Sequence, residues 1–434
     1  MRYWLSSLVL LSILLSTSCA VMEEPPQEEE EDKESYTKSS LEREIAPNIS
    51  PEKIKILAQD NTAFALSFYN QIRQANDNII FSPISLSVAL SMAMAGAQSD
   101  TQAGMINALS FSLPEAEIYP TLNALLLVIN KSEQKSMGDS EGNKFQLNIA
   151  NSIWGQAGFT FHQDYLDLLA RNFGTGIYTV NFSAQPEQAR EAINQWVEDE
   201  TQEKISDLIS PGGINTLTRL VLANAIYFKG SWLHPFNKKE TLKAPFYALD
   251  GSKLEVDMMH LGGERLAYAH GENYQAVNLP YYSSDFSMTI ILPEQGAFNT
   301  FEEDLRAENL YAILNSLTSQ RVDFRMPKFD YESTINANDP LISLGMSDAF
   351  NPDAANFSGI TDEDELYITD VLHKATITVD EEGTEAAAAT AVIMGIRSME
   401  PGEPISLTID RPFIYLIQHI PTGSILFFGR VTEP

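Results

Sequence analysis

The pattern of apolar and polar positions along the chain predicts several helices. Between residues 54 and 75, apolar side chains recur at the spacing of one helix face, and residues 86–96 form an almost wholly apolar run closed by glycine. Pro83 fits the first turn of a helix and the serine before it can cap free amides, so this second helix is predicted to begin at that junction. Residues 122–129 and 193–205 are further helical candidates.

Strand patterns occupy much of the remaining chain. Residues 220–232 are apolar almost throughout, which is typical of a strand buried on both faces. Segments that alternate like strands are residues 145–154, 277–282, 286–293, 322–329, 344–350, 356–360, 375–379, 411–418 and 423–431. The chain is therefore expected to combine helices with long strands.

The segment after residue 379 combines acids, a glycine and a series of very small residues. It reads E-E-G-T-E-A-A-A-A-T-A from Glu381. Alanine is the best helix former, but no apolar stripe at helical spacing accompanies it, which favours an extended segment. As a strand it has one uncharged face, Thr384, Ala386, Ala388 and Thr390, and one face that begins with a charge, Glu385, Ala387 and Ala389. Such a segment could slide between packed strands, with Gly383 supplying freedom to bend.

This segment resembles the hinge of the serpin family, the serine protease inhibitors, from Glu381 to Thr390. Other motifs resemble the same family: F-S-P-I-S at residues 81–85, I-N-Q-W-V-E-D-E-T-Q-E-K-I at residues 193–205, and the apolar run that leads to Trp232. The resemblance covers roughly residues 51–434, and the serpin domain is taken as residues 48–434. It implies an α+β fold in which helices pack on large β-sheets and a reactive-centre loop is exposed.

The resemblance also implies a mechanism and a target. In the family, a protease attacks a bond at a fixed distance after the hinge, and the cleaved hinge inserts as a strand into the central sheet while the protease is still an acyl-enzyme. The count from this hinge places the bond between Arg397 and Ser398. An arginine before the bond suits a trypsin-like serine protease, whose specificity pocket holds an acid. Met394 or Met399 in that place would suit a protease that prefers apolar residues.

Further residues match family positions inside the body. Ser82, Ser85, Asn224 and His373 match a buried polar cluster below the sheet, which in serpins helps to control whether the sheet parts, and Trp232 matches a tryptophan near the point where the loop inserts. Without the resemblance, each polar residue would be interpreted as an independently satisfied core residue. The resemblance implies a monomeric, irreversible suicide-type inhibitor of trypsin-like serine proteases that is not an enzyme and needs no cofactor. A non-inhibitory serpin acting as a carrier or chaperone is the alternative.

A second alternative comes from a different class of protein. Residues 138–142 match G-x-S-x-G, the nucleophile elbow of serine hydrolases, with Ser140 as the nucleophile. That motif requires a buried strand before the serine and a helix after it, whereas here a polar run precedes and a predicted strand follows. The context disfavours a hydrolase. The six histidines show no metal-ligand spacing, so no metal site is expected.

Charge and the N-terminus bear on location. The formal net charge of -31 argues against nucleic-acid binding. Residues 1–19 are predicted to be a signal peptide with an apolar core too short to span a bilayer. Cys19 lies where a bacterial lipoprotein signal places its lipid anchor. The alternative is an ordinary cleavage after Ala20. Residues 20–47 are predicted to be an acidic, disordered tether. The protein is expected to be secreted or lipid-anchored outside a bacterial cytoplasm.

Overall fold

The computed structural model of the protein describes residues 35–73, 77–137, 145–362, 366–384 and 403–434. The helices are α1 (Pro51–Ile72), α2 (Pro83–Met94), α3 (Ser99–Ala108), α4 (Glu115–Met137), α5 (Gln163–Phe173), α6 (Pro186–Glu200), α7 (Phe298–Asp304), α8 (Ala307–Ser316), α9 (Asn338–Leu341) and α10 (Ser347–Phe350). A 3-10 turn covers Lys238–Glu240, and a π-helical turn, Ile342–Met346, joins α9 to α10.

The strands follow one another along the chain between these helices. They are β1 (Ser35–Thr37), β2 (Ile79–Phe81), β3 (Phe145–Gln156), β4 (Ile177–Val180), β5 (Leu220–Ser231), β6 (Leu242–Tyr247), β7 (Lys253–His270), β8 (Tyr274–Pro280), β9 (Phe286–Pro293), β10 (Thr318–Pro327), β11 (Phe329–Asn336), β12 (Asp370–Val379), β13 (Gly383–Thr384), β14 (Ile405–Thr408), β15 (Phe413–His419) and β16 (Ser424–Val431).

Two sheets organise these strands. Within the described residues, the central sheet has seven strands in the order β1-β4-β3-β5-β13-β12-β11. The second sheet runs β14-β10-β7-β8-β9-β15-β16-β2, with β6 paired to β7. α2 contacts β3 and β5 of the central sheet and β16 of the second, and every one of its residues is buried. A helix that is mostly apolar and has no solvent-facing side belongs in such a position, and the fold is α+β as the sequence predicts.

Most of the predicted elements are confirmed, with different limits. α1, α2, β5 and β12 cover the segments predicted for them, and α2 begins at Pro83 with the Ser82 hydroxyl accepting the Ser85 amide at 3.3 Å. α6 ends at Glu200, before residue 205, because Gln202 and Glu203 adopt positive φ angles of 55° and 62° that a helix does not allow.

Two predicted strands are wrong. Residues 344–350 lie in the π-helical turn and α10, where Met346 and Ala349 are buried three residues apart, which is the spacing of a helix face. Gly345, with φ at 112°, allows the bend between the two helical pieces. Residues 356–360 form a turn rather than a strand.

The predicted boundary of the tether is also wrong for the residues that the structure describes. Residues 35–47 belong to the folded body, and contacts group Glu34–Pro434 into one compact unit. β1 pairs antiparallel with β4 and adds a strand to the edge of the central sheet. The rings of Tyr36 and Tyr178 lie 4.6 Å apart, and the Ser39 hydroxyl donates to Asp167. Backbone pairing and one aromatic contact order a segment whose composition alone predicts disorder. Residues 1–34 lie outside the described residues.

Candidate functional site

The predicted hinge begins inside the central sheet. β13 lies between β5 and β12 and is antiparallel to both: Gly383 faces Ser231, and Thr384 faces Gly230 on one side and Val379 on the other. Away from β13, β5 and β12 are paired directly, in parallel, from Asp370–Ala375 to Val221–Ile226. The two strands are therefore neighbours along part of their length and are separated by the hinge at one end.

Gly383 is needed here for close approach rather than for bending. A Cβ atom built on it would lie 2.1 Å from the carbonyl oxygen of Gly230, which is shorter than any side chain tolerates. Its φ angle is not among the positive ones, so the backbone conformation itself does not require glycine. The absent side chain lets the hinge backbone pair with β5.

Thr384 places the uncharged face of the hinge inside the protein. Only 1% of its surface is exposed, and its hydroxyl lies 2.8 Å from the Tyr281 hydroxyl. The Tyr281 ring stacks on Trp232 with centroids 4.6 Å apart and planes 11° from parallel. In the structure the Thr384 side chain therefore faces the protein interior.

Trp232 holds the turn between β12 and β13. Its indole nitrogen donates to the Asp380 carbonyl at 3.0 Å, and its backbone amide donates to the Glu382 carbonyl at 2.9 Å. The Phe236 amide donates to the Glu381 carbonyl at 2.8 Å. Trp232 thus lies at the point where the hinge enters the sheet.

The two acids of the hinge are fixed by different partners. Glu381, 2% exposed, accepts the Thr241 hydroxyl at 2.6 Å and forms an ion pair with Lys328 at 2.7 Å. Burial alone would raise the pKa of Glu381, but the bonds from Lys328 and Thr241 outweigh it and hold that pKa below its ordinary value. Glu382 pairs with Lys238. Glu381 is therefore a charged anchor inside the protein.

The four polar residues predicted to form a cluster do so below the central sheet. His373 and Asn224 are direct partners in the β12–β5 ladder, and the His373 Nδ1–H donates to the Asn224 side-chain oxygen. The Ser82 amide donates to His373 Nε2 at 3.0 Å, which fixes the tautomer. Asn224 in turn donates its side-chain N–H to the Ser85 hydroxyl at 2.6 Å. We call these residues, with Asn151, the polar cluster.

The imidazole at the centre of the polar cluster is neutral. Burial lowers the pKa of His373 to about 3, because a charged ring would be desolvated in the core. A neutral ring can accept from Ser82 and donate to Asn224 at the same time, so both of its nitrogens are satisfied.

Asn151 completes the polar cluster and was missed in the sequence. It lies on β3 directly opposite Asn224 of β5, and its side-chain oxygen accepts from Asn224 and, at 3.1 Å, from the Ser85 hydroxyl. An asparagine in an otherwise alternating strand was the available signal. Its partner, however, depends on the register of two strands that are distant in sequence. Thr241, Lys328 and Tyr281 around the hinge were missed as well, because each bonds to a hinge residue that is distant in sequence.

Several predicted residues lie outside the described residues. They are the rest of the hinge, Glu385, Ala386, Ala387, Ala388, Ala389 and Thr390, the reactive bond Arg397 and Ser398, its alternatives Met394 and Met399, the hydrolase candidate Ser140, and the lipid-anchor candidate Cys19. Within the described ranges, no group of His, Cys, Asp or Glu side chains could hold a metal ion. No helix of the described chain is both long and apolar enough to cross a bilayer.

Comparisons with known proteins agree on one family. The family model described as Serpin (serine protease inhibitor) matches residues 59–434. The chain is 37% identical over 373 residues to an uncharacterized serpin-like protein of Thermococcus kodakarensis, covering 86% of this chain and 84% of that one. It is 34% identical over 389 residues to human leukocyte elastase inhibitor, covering 87% and 99%. The solved native state of the thermophilic serpin tengpin matches with a TM-score of 0.79 and 28% identity, covering 93% of this chain and 100% of that one.

Proposed function

The chain belongs to the serpin family, and from that premise we propose that it is an irreversible, suicide-type inhibitor of trypsin-like serine proteases. Serpins are a family of protease inhibitors rather than catalytic enzymes, and inhibitors occur among the relatives of this chain. In the proposal, the target cleaves after Arg397, and the hinge inserts fully between β5 and β12 before the acyl-enzyme is hydrolysed. The protein acts as a monomer without a cofactor.

The position of β13 is the observation that supports insertion most strongly. Thr384 faces Gly230 on β5, and ten residues further along the loop the same register brings residue 394 opposite Leu220, the first residue of β5. On the other side, Thr384 faces Val379, and nine residues further residue 393 comes opposite Asp370, the first residue of β12. Both registers end the inserted strand at the same place, three or four residues before Arg397.

The side chains of that strand suit its proposed surroundings. Continued alternation from Thr384 places Ala386, Ala388, Thr390, Val392 and Met394 on the face that Thr384 presents to Tyr281. This face carries no charge, so it can enter the core without an unpaired ion. Glu385 falls on the opposite face. A carrier serpin that keeps its loop outside has no need of this pattern.

The energy available from insertion is sufficient to disable a protease. An inserted strand of about eleven residues would form hydrogen bonds with partners on both sides. At about 1 kcal/mol net per hydrogen bond, these bonds would stabilise the sheet by on the order of 10 kcal/mol more than the β5–β12 bonds that they replace. Displacing a catalytic group by about 1 Å costs on the order of a hundredfold in rate. The inserted strand would span about 35 Å at roughly 3.3 Å per residue. The protease would be trapped and the inhibitor consumed with it.

The polar cluster resists this insertion until the loop is cut. His373 and Asn224 are paired across the boundary between β5 and β12, so a strand that enters there must break their hydrogen bond. Breaking it leaves two buried polar groups without their partners, at about 1–3 kcal/mol each. We therefore assign Ser82, Ser85, Asn224 and His373 the role of holding the sheet closed.

The proposed location is outside the cytoplasm. The apolar run within residues 1–19, followed by Cys19, supports export and lipid attachment. We expect the wild-type chain to incorporate labelled fatty acid and the Cys19→Ala chain not to incorporate it. A chain that stays in the cytoplasm contradicts the proposal.

Incubation with trypsin tests the inhibitory function. An inhibitor gives an adduct with trypsin that survives SDS, and Arg397→Ala abolishes it. A carrier is cut without an adduct, and a hydrolase would turn over an ester and lose that activity in Ser140→Ala. An Arg397→Ala variant that still traps trypsin fully would place the reactive bond elsewhere.

A further inference from the structure

A cavity of about 300 Å³ lies beside the central sheet, away from the hinge. One wall is formed by α2 and β3, where Val88, Met92 and Leu147 are buried apolar side chains. The exposed Gln134 and the half-buried Thr175 lie at its other side, so the cavity reaches solvent beyond α4. Its size and mixed lining are those of a small-molecule site.

Arg43 gives this cavity an unusual polar group. It lies in the segment between β1 and α1 that packs against α5, and its Nε–H donates to the Asn123 side-chain oxygen on α4 at 2.8 Å. Its Nη2 nitrogen is buried and has no hydrogen-bond partner among the described residues. Burial lowers the pKa of Arg43 from its ordinary value, which is the effect of removing a cation from water without an anion beside it.

Two other polar groups of the wall, Asn151 and Glu133, already have partners. The Asn151 side-chain oxygen accepts hydrogen bonds from Ser85 and Asn224. Glu133, the acid of the lining, accepts the Leu147 amide at 2.8 Å, and burial raises its pKa although that bond lowers it. Among the buried side-chain nitrogen and oxygen atoms of this lining, Arg43 Nη2 is the one without a partner, so the unsatisfied group is a donor on a cation, next to an apolar wall.

We propose that this cavity binds a small carboxylate with a short apolar chain, with the carboxylate on Arg43 Nη2 and the chain against α2 and β3. A planar guanidinium is the protein group best matched to a carboxylate, and the bond is charge-assisted. The volume accommodates about ten non-hydrogen atoms at roughly 30 Å³ each. Octanoate has this size and is the probe that we choose.

Titration calorimetry with the full chain tests the proposal. We expect octanoate to bind at one site and to raise the midpoint of thermal unfolding as its concentration rises. Octanamide, which has the chain without the charge, and acetate, which has the charge without the chain, are each expected to bind at least tenfold more weakly. Octanamide binding as tightly as octanoate, or no octanoate binding at millimolar concentration, would overturn the proposal.

Two variants and one control locate the site. Arg43→Gln is expected to weaken octanoate binding at least tenfold, whereas Arg190→Gln, which changes a half-buried arginine on α6, leaves it unchanged. Should Arg43→Gln fail to fold because its bond to Asn123 is lost, Ile149→Phe decides, since it fills the cavity and should abolish binding. Unchanged binding in either folded variant refutes the site. The result does not depend on trypsin trapping, so the two proposals fail separately.

Discussion

Thr384→Arg is the substitution for which the structure gives the sharpest expectation. Thr384 is 1% exposed, and its hydroxyl bonds with that of Tyr281. An arginine at this position must either keep the hinge out of the sheet or bury a charge that has no acid beside it. The cost of such burial is several kcal/mol. At about 1.4 kcal/mol per tenfold in rate, a penalty of about 4 kcal/mol slows insertion about a thousandfold relative to hydrolysis of the acyl-enzyme.

The assay is the stoichiometry of trypsin inhibition. We expect about one inhibitor per trypsin for the wild type and more than a hundred for Thr384→Arg, with the variant recovered as cleaved protein. Glu385→Arg is the matched control, because it changes a charge at the next position, on the face that alternation directs away from Tyr281. Full trapping by Thr384→Arg, or an equal loss in Glu385→Arg, would refute the assigned facing of the hinge.

Three further predictions concern the hinge anchor and the polar cluster. Asn224→Ala removes the hydrogen-bond partner of His373 and Ser85, so it should lower the free energy of unfolding of the intact protein by about 2–3 kcal/mol. Denaturant titration measures this value. An unchanged free energy of unfolding would mean that the polar cluster does not hold the sheet closed. The pKa of His373 is lowered to about 3 from an ordinary 6.5, so as pH falls the unfolded state binds this proton before the folded state does. The stability due to neutral His373 is therefore fully present above pH 6.5 and is lost as pH falls toward 3, at up to about 1.4 kcal/mol per pH unit. The measurement is the slope of unfolding free energy against pH, which should be shallower in His373→Gln than in the wild type. Lys328→Met leaves buried Glu381 without its cation and should free the hinge, which would change the fluorescence of Trp232. Lys253→Met, at an exposed lysine, is the control and should leave the fluorescence unchanged. Equal spectra for the two variants would contradict the role of Glu381 as an anchor.

The sequence pattern identified several residues of the site but not the residues that contact them. The small residues after Gly383 and the lone polar residues Asn224 and His373 stand out because each departs from the pattern around it. The importance of Asn151 and Lys328 comes from contacts between distant parts of the chain, which are the β3–β5 register for Asn151 and the ion pair with Glu381 for Lys328. Resemblance to a family located the first group, and only three-dimensional pairing located the second.

The errors of the sequence interpretation have physical causes of the same kind. Residues 35–47 are polar and lack a core of their own, yet the edge of the central sheet supplies backbone partners for β1. Residues 344–350 alternate between apolar and polar, but Gly345 permits a bend that puts Met346 and Ala349 on one helical face. In both cases tertiary contacts outweigh the local pattern.

The crystal structure of the protein after cleavage of its loop tests the central claim most directly. The account predicts residues 384–394 as a strand between β5 and β12, residue 394 opposite Leu220, and no bond between His373 and Asn224. A cleaved protein in which β12 still pairs with β5 from Asp370–Ala375 to Val221–Ile226 would contradict it.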